Sequence, residues 1–231
     1  MYGCTDSYAG NYDADANVDD GSCTYPDNGD YSLSFDGEDD YVDMSGNELF
    51  NFGTGDFTLE HWYKSDETNG HFCNSMQKYG TTNHYYDLTI NANGSGYPQF
   101  HFANGNGSDH HAIGNTRVDD NQWHLISGVR EGNTIKLYID GELSGSSDLP
   151  EGANSDNSGN LEIGARACGG SVYVENYMDE MRIWSTALTQ EQIQANMNTE
   201  LSGDESGLVG HWNFNEGSGD VVYDLSLIHI S

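Results

Sequence analysis

Trp123-His124-Leu125-Ile126-Ser127-Gly128-Val129-Arg130-Glu131-Gly132-Asn133-Thr134-Ile135-Lys136-Leu137-Tyr138-Ile139-Asp140-Gly141 is the stretch that decides the fold. Apolar residues recur with a period of two, at Trp123, Leu125 and Val129 and again at Ile135, Leu137 and Ile139. Side chains two apart share one face of a strand, so each run is a half-buried β-strand. Glu131-Gly132-Asn133 marks the turn between them, and Asp140-Gly141 is a second hairpin signal because both residues accept positive φ. The strands therefore meander antiparallel.

The same alternation appears at Tyr31/Leu33/Phe35 and at Phe57/Leu59/His61/Tyr63. With 29 glycines, 15 tyrosines and 3 prolines in 231 residues, the chain reads as many short strands joined by glycine, asparagine and aspartate turns. One helix is predicted from Thr189 to about Met197: Thr189 and Gln192 make a capping box, and Leu188, Ile193 and Met197 recur at helical spacing. No internal repeat is visible between residues 30 and 226. The predicted class is all-β, a two-sheet antiparallel sandwich with one short helix toward its C-terminal side and a small N-terminal calcium-loop segment.

Thirty-eight acidic residues against seven basic ones give a formal charge of -31, which excludes nucleic acid and anionic membrane surfaces as partners. No apolar run approaches the roughly 20 residues of a membrane helix or forms a signal peptide near Met1. Four cysteines without CxxC spacing point to disulfides and an oxidising, extracellular setting. The expectation is an internal piece of a longer secreted or surface protein, whose other domains are partners.

Residues 1–24 stand apart, with almost no apolar residue between Cys4 and Cys23. Asp13, Asp15, Asn17 and Asp20 occupy positions 1, 3, 5 and 8 of a loop, a spacing at which oxygen ligands turn inward around one hard cation. Calcium is the expected ion, since magnesium demands a stricter octahedron. Residues 25–29 form a linker and residues 30–226 the main domain. Leu227-Ile228-His229-Ile230-Ser231 reads as a non-native tail, which would leave a terminal strand missing. Cys73 and Cys168 either pair, closing a loop of about 95 residues worth roughly 4 to 5 kcal/mol, or remain two buried thiols; the sequence leaves both open.

Two families are resembled. The first 23 residues are similar to the cysteine-bracketed acidic repeats related to thrombospondin type-3 calcium repeats. Residues 31–226 resemble the laminin G-like, concanavalin A-like jelly roll in five ordered blocks: Phe35-Asp36-Gly37-Glu38-Asp39-Asp40-Tyr41-Val42, Phe57-Thr58-Leu59-Glu60-His61-Trp62, Trp123-His124 with Leu137-Tyr138-Ile139-Asp140-Gly141, Asp179-Glu180-Met181-Arg182-Ile183-Trp184, and Gly210-His211-Trp212-Asn213-Phe214. The second resemblance implies a structural calcium held by Asp179 with backbone oxygens near Asp36 and Gly55. It also implies a lectin-like module, a scaffold or adhesin domain, or a glycoside hydrolase.

Hydrolysis needs two carboxyl groups across the scissile bond, and the Glu-x-Asp-x-Glu run of the family's enzymes is missing, so the chain is expected not to be an enzyme. A sugar site would use exposed rings beside amides and carboxylates, for which Trp62, Tyr85, Tyr86, Tyr97 and His101 are candidates. His110-His111 suggests zinc only weakly, because adjacent strand residues face opposite ways. The expected function is calcium-dependent recognition of an extracellular glycan or glycoprotein in adhesion.

Two outcomes follow from the N-terminal segment. Cys4 and Cys23 form a disulfide stabilising the acidic loop by roughly 3 kcal/mol; a non-reduced digest by mass spectrometry shows the linked peptides, or free thiols if the reading is wrong. Removing calcium leaves clustered carboxylates facing one another, so Tm falls in chelator and recovers with calcium; an unchanged Tm overturns the expectation.

Overall fold

The computed structural model describes residues 1–3, 15–16, 18–19, 31–36, 40–44, 48–65, 73–80, 83–90, 96–105, 108–164, 175–217, 219 and 221–226. The strands, in chain order, are β1 (Tyr2–Gly3), β2 (Val18–Asp19), β3 (Leu33–Asp36), β4 (Val42–Met44), β5 (Phe57–Lys64), β6 (Cys73–Tyr79), β7 (His84–Ile90), β8 (Gln99–Asn104), β9 (Asp109–Ile113), β10 (His124–Glu131), β11 (Thr134–Ile139), β12 (Glu142–Asp148), β13 (Leu161–Ile163), β14 (Glu175–Trp184) and β15 (Leu208–Trp212). One α-helix, α1, spans Gln190–Asn196. The first large sheet has the order β12-β11-β10-β5-β14-β15 with β3 also on β14, and the second has the order β4-β13-β6-β7-β8-β9. Every pairing in both is antiparallel. This is the expected sandwich.

The hairpin read from Trp123 to Gly141 is present with the predicted turns. Glu131 pairs with Thr134 around Gly132 (φ 57°), and Asp140 and Gly141 turn at φ 51° and 76°. The helix also forms as expected, with Thr189 as N-cap and both halves of the capping box made with Gln192. Its consequence for the sheet was not predicted. Strands β5 and β10 are buried on both faces rather than half-buried, because α1 and the segments beside it cover the outer face of the first sheet. A second apolar cluster of Leu125, Val129, Tyr138, Trp184, Leu188, Ile193, Leu201 and Leu208 lies there.

Beneath that cluster Glu60 is fully enclosed. It accepts hydrogen bonds from Trp184 Nε1 (2.9 Å) and Ser127 Oγ (3.1 Å). Burial raises its pKa against the pull of Arg182. Arg182 is itself buried and donates to Glu180 (2.8 Å) and to the Asn196 carbonyl (2.8 Å) at the end of α1, where the helix dipole favours a cation.

Between the sheets, Phe57, Leu59, Ile126, Leu137 and Ile183 face Tyr86, Leu88, Phe100, Phe102 and Ile163 in one core. Phe100 packs edge-on against Phe57, with ring centroids 5.9 Å apart. Gly128 makes the approach possible: a Cβ there would lie 2.8 Å from Leu88 and 2.9 Å from Phe100. Among the described residues no helix is long and apolar enough to cross a membrane. The N-terminal β1 and β2 pair in parallel, Tyr2 with Val18 and Gly3 with Asp19.

His61 is on the inner face of β5, fully buried, and neither ring nitrogen has a hydrogen-bond partner. Burial pushes its pKa from 6.5 down to about 3. The unfolded chain takes up a proton near pH 6.5 that the folded chain refuses until about pH 3. The stability is complete above the unfolded pKa and is lost as pH falls through this window, by a few kcal/mol at about 1.4 per pKa unit. Replacing His61 by leucine is expected to flatten the acid limb of stability against pH while keeping stability near pH 7; denaturant melts from pH 7 to 3.5 with parallel slopes for both chains would contradict this.

Candidate functional site

The outer face of the second sheet carries the site, and the inner face determines its membership. Tyr86 pairs with Phe102, and Leu88 with Phe100 and through it Ala112, all pointing into the core. The alternate residues therefore share the opposite face. Across six neighbouring strands Asp43, Glu162, Gln77, Asp87, His101 and His111 stand in register, one from each strand. One step along lie Tyr79, Tyr85, Ala103 and Asp109.

Four aromatic rings run through this face without a break. Tyr79 and Tyr85 have centroids 4.9 Å apart, Tyr85 meets His101 edge-on at 4.8 Å, and His101 stacks on His111 at 4.0 Å. All four are partly exposed. Polar groups lie beside them: Gln77 Nε2 donates to Glu162 (2.7 Å), Thr89 Oγ1 donates to Asp87, and the Tyr85 hydroxyl is 3.3 Å from His101 Nε2. Asp87, only 4% exposed, has a carboxylate oxygen 3.4 Å from His101 Nδ1. Burial and the neighbouring His101 hold His111 below the ordinary imidazole pKa, against the opposing pull of Asp109 and Asp87.

The five expected ligand-binding residues do not form one site. Tyr85 and His101 meet as described. Tyr86 is a correction: it is 1% exposed, packs on Phe57, and donates its hydroxyl to the Phe50 carbonyl at 2.9 Å, because its inward neighbour row faces the core. Tyr97 precedes β8 and lies near Arg117. Trp62 is on the other sheet, where it lines a shallow depression of about 290 Å³ with Trp123, Asp179, Glu180, Met197 and Asn198.

The calcium ligands expected within the sandwich are also separated. Asp36 pairs with Glu175, four residues before Asp179, whereas Asp179 pairs with Trp62, seven residues beyond Gly55. At about 3.3 Å per residue these are gaps of roughly 13 and 23 Å, which no single ion bridges. A bulge between Asp179 and Arg182, with Glu180 at φ 47°, turns Asp179 and Glu180 to the same depression rather than to opposite faces. Asp179 accepts from the Glu180 N–H (2.7 Å), and Glu180 binds Arg182 and His211 Nε2 (3.1 Å). Those partners outweigh burial and hold the Glu180 carboxyl below its usual pKa.

Of the N-terminal ligand set, Asp15 is exposed, and Asp13, Asn17 and Asp20 lie outside the described residues, as do Cys4, Cys23 and Cys168. Cys73 opens β6 opposite Ile90, with its side chain outside the described set. Tyr79, Gln77, Asp87 and Asp109 were not read as site residues from the sequence, and His111 was read only as half of a weak zinc signal with His110. They come together through pairings between distant strands, which no local period encodes. The signal available was parity: Tyr85, Asp87 and Thr89 alternate with an apolar set at Tyr86, Leu88 and Ile90.

Comparison with solved structures finds the same architecture. A Bacteroides ovatus protein provisionally assigned to carbohydrate binding superposes with TM-score 0.63 at 18% identity, covering 91% of this chain and 61% of its own. The binding domain of Paraclostridial mosquitocidal protein 1 gives 0.57 at 15% identity, covering 72% and 45%. The receptor-binding domain of botulinum neurotoxin C/D mosaic serotype gives 0.54 at 18%, covering 73% and 43%. The chain thus spans between two fifths and about three fifths of these proteins. Comparison with curated protein sequences finds no match. The laminin G family model described as the concanavalin A-like lectin/glucanases superfamily matches residues 36–194, and the chain belongs to that superfamily.

Proposed function

We propose that this domain is an extracellular binding module that recognises a glycan or glycoprotein on the outer face of its second sheet without cleaving it. The observation that carries this reading is the unbroken row Tyr79, Tyr85, His101, His111 beside Gln77, Asp87 and Glu162. Partly exposed rings offer apolar faces to sugar C–H groups, and the flanking amide and carboxylates exchange water for hydroxyls. The kinship with carbohydrate-binding and receptor-binding domains supports it at the level of fold.

Binding without hydrolysis is favoured by how the carboxylates of the row are used. Asp87 is held by Thr89 and His101, and Glu162 by Gln77, so neither is presented as an acid and base pair across an open cleft. Calcium enters through the acidic loop of residues 13–20 and its two bracketing cysteines rather than through the sandwich. That loop also suits display of the domain within a longer surface protein.

A second patch of rings, Trp62 with the 38%-exposed Trp123 above Asp179, offers the competing location on the first sheet. Glycan-array screening followed by titration of the best hit separates the two. Tyr85→Ala is expected to weaken binding about tenfold, the equivalent of one stacking contact of roughly 1.5 kcal/mol, while Trp123→Ala leaves it unchanged. The reverse result moves the site to the first sheet. Silence on the array and in pull-downs from cell-surface extract makes the domain a scaffold, and release of reducing sugar makes it a hydrolase.

A further inference from the structure

The geometry points to a site for a divalent transition-metal ion of the zinc class on the outer face of the second sheet, with His101, His111 and Asp109 as ligands. Each offers one donor atom, and the three lie within 4.8 Å of one another. The backbone sets this up. His101 and His111 are direct cross-strand partners on β8 and β9, and Asp109 is two residues before His111, on the same face and opposite the small Ala103. His110, between the two ligands in sequence, points to the other face as the partner of buried Phe102.

Tetrahedral coordination at 2.0–2.2 Å puts donor atoms roughly 3.3 Å apart. The three side chains therefore close by about 1.5 Å or less around the ion, a rotamer adjustment for partly exposed and exposed residues. The His101 and His111 rings are stacked at 4.0 Å and inclined by 21°, so binding also rotates them out of the stack until their in-plane lone pairs converge on the ion. Behind His101 stands the supporting group such sites use: the Asp87 carboxylate, fixed by Thr89, faces Nδ1 at 3.4 Å and leaves Nε2 to face the ion. The Tyr85 hydroxyl, now 3.3 Å from that nitrogen, yields to it.

Two imidazoles with one carboxylate select a borderline ion such as Zn²⁺ over Ca²⁺, which requires six to eight oxygens. Three protein ligands leave the fourth position to solvent or to a ligand on this face. A formal charge of -31 raises the local concentration of cations around the whole molecule. This site is argued from ligand geometry and not from glycan recognition, although it shares His101 and His111 with the proposed platform.

The test is titration of the full chain with ZnCl₂ in chelator-free buffer containing saturating CaCl₂, followed by calorimetry and by the visible d–d spectrum of the Co²⁺ form. The expected result is one saturable ion beyond calcium and a tetrahedral Co²⁺ spectrum. His111→Ala lowers affinity at least about 100-fold and Asp109→Asn about tenfold. Asp87→Asn lowers it between about 10- and 100-fold. His110→Ala has no effect. If the His111 variant fails to fold, Zn²⁺-induced shifts of the His101 and His111 ring resonances in the unmodified protein give the same answer. Zinc binding that survives His111→Ala in a folded chain, or the lack of a saturable zinc event, overturns the proposal. Since glycan titration runs in saturating CaCl₂ both with and without added zinc, its outcome and this one fail separately.

Discussion

The register of β7, β8 and β9 is held by what it buries, and everything on the outer face of that sheet depends on it. Tyr86, Leu88, Phe100 and Phe102 are each at most 1% exposed, and truncating one such aromatic side chain typically costs about 3 to 5 kcal/mol. A slip of one residue in any of the three strands would turn this set to solvent and His101 or His111 into the core. The outer face therefore needs no separate stabilisation of its own. Its rings and carboxylates are placed by the packing of their neighbours, and Gly128 contributes from the facing sheet by leaving room for Phe100 and Leu88. Substitution at Gly128 would disturb the platform although it lies on the far side of the core.

What was legible in the sequence was local. The hairpin between Trp123 and Gly141 and the capping box at Thr189 rest on interactions within a few residues, and both formed as read. The two-faced burial of β5 and β10 was hidden because it depends on α1, which follows both strands at long range in the chain, folding back over them. Adjacent Tyr85 and Tyr86 could not both face outward on one strand, and parity decided for Tyr85. Asp179 illustrates a different failure. Alternation predicts opposite faces for Asp179 and Glu180, but the bulge at Glu180 breaks the period, and nothing in the residue types announces it. The His101–His111 pair was invisible because its elements meet only through register.

Where the basic residues sit changes the meaning of the charge. Arg130, Arg182 and Lys78, three of the seven, are buried. Arg130 donates to the carbonyls of Gly53 (3.0 Å) and Ala153 (2.6 Å), and Lys78 to those of Asn157 (2.8 Å) and Gly159 (2.9 Å). These cations close loops onto the ends of the sandwich by satisfying carbonyls that strands cannot reach. They are spent on structure, so the solvent-facing surface is more one-sidedly acidic than the cation count suggests.

That asymmetry bears on what the outer face can hold. Asp87, Glu162, Asp43 and Asp109 share the ring-bearing face, and repulsion of a sulfated or sialylated chain there would be strongest at low salt, where screening is weak. A neutral sugar meets no such barrier and finds rings with acceptors for its hydroxyls. An anionic one would require a cation between itself and the protein, and the proposed site at the two histidines beside Asp109 would supply it. On the proposed reading, the same register that fixes the rings would favour neutral ligands and admit acidic ones only with a metal bound.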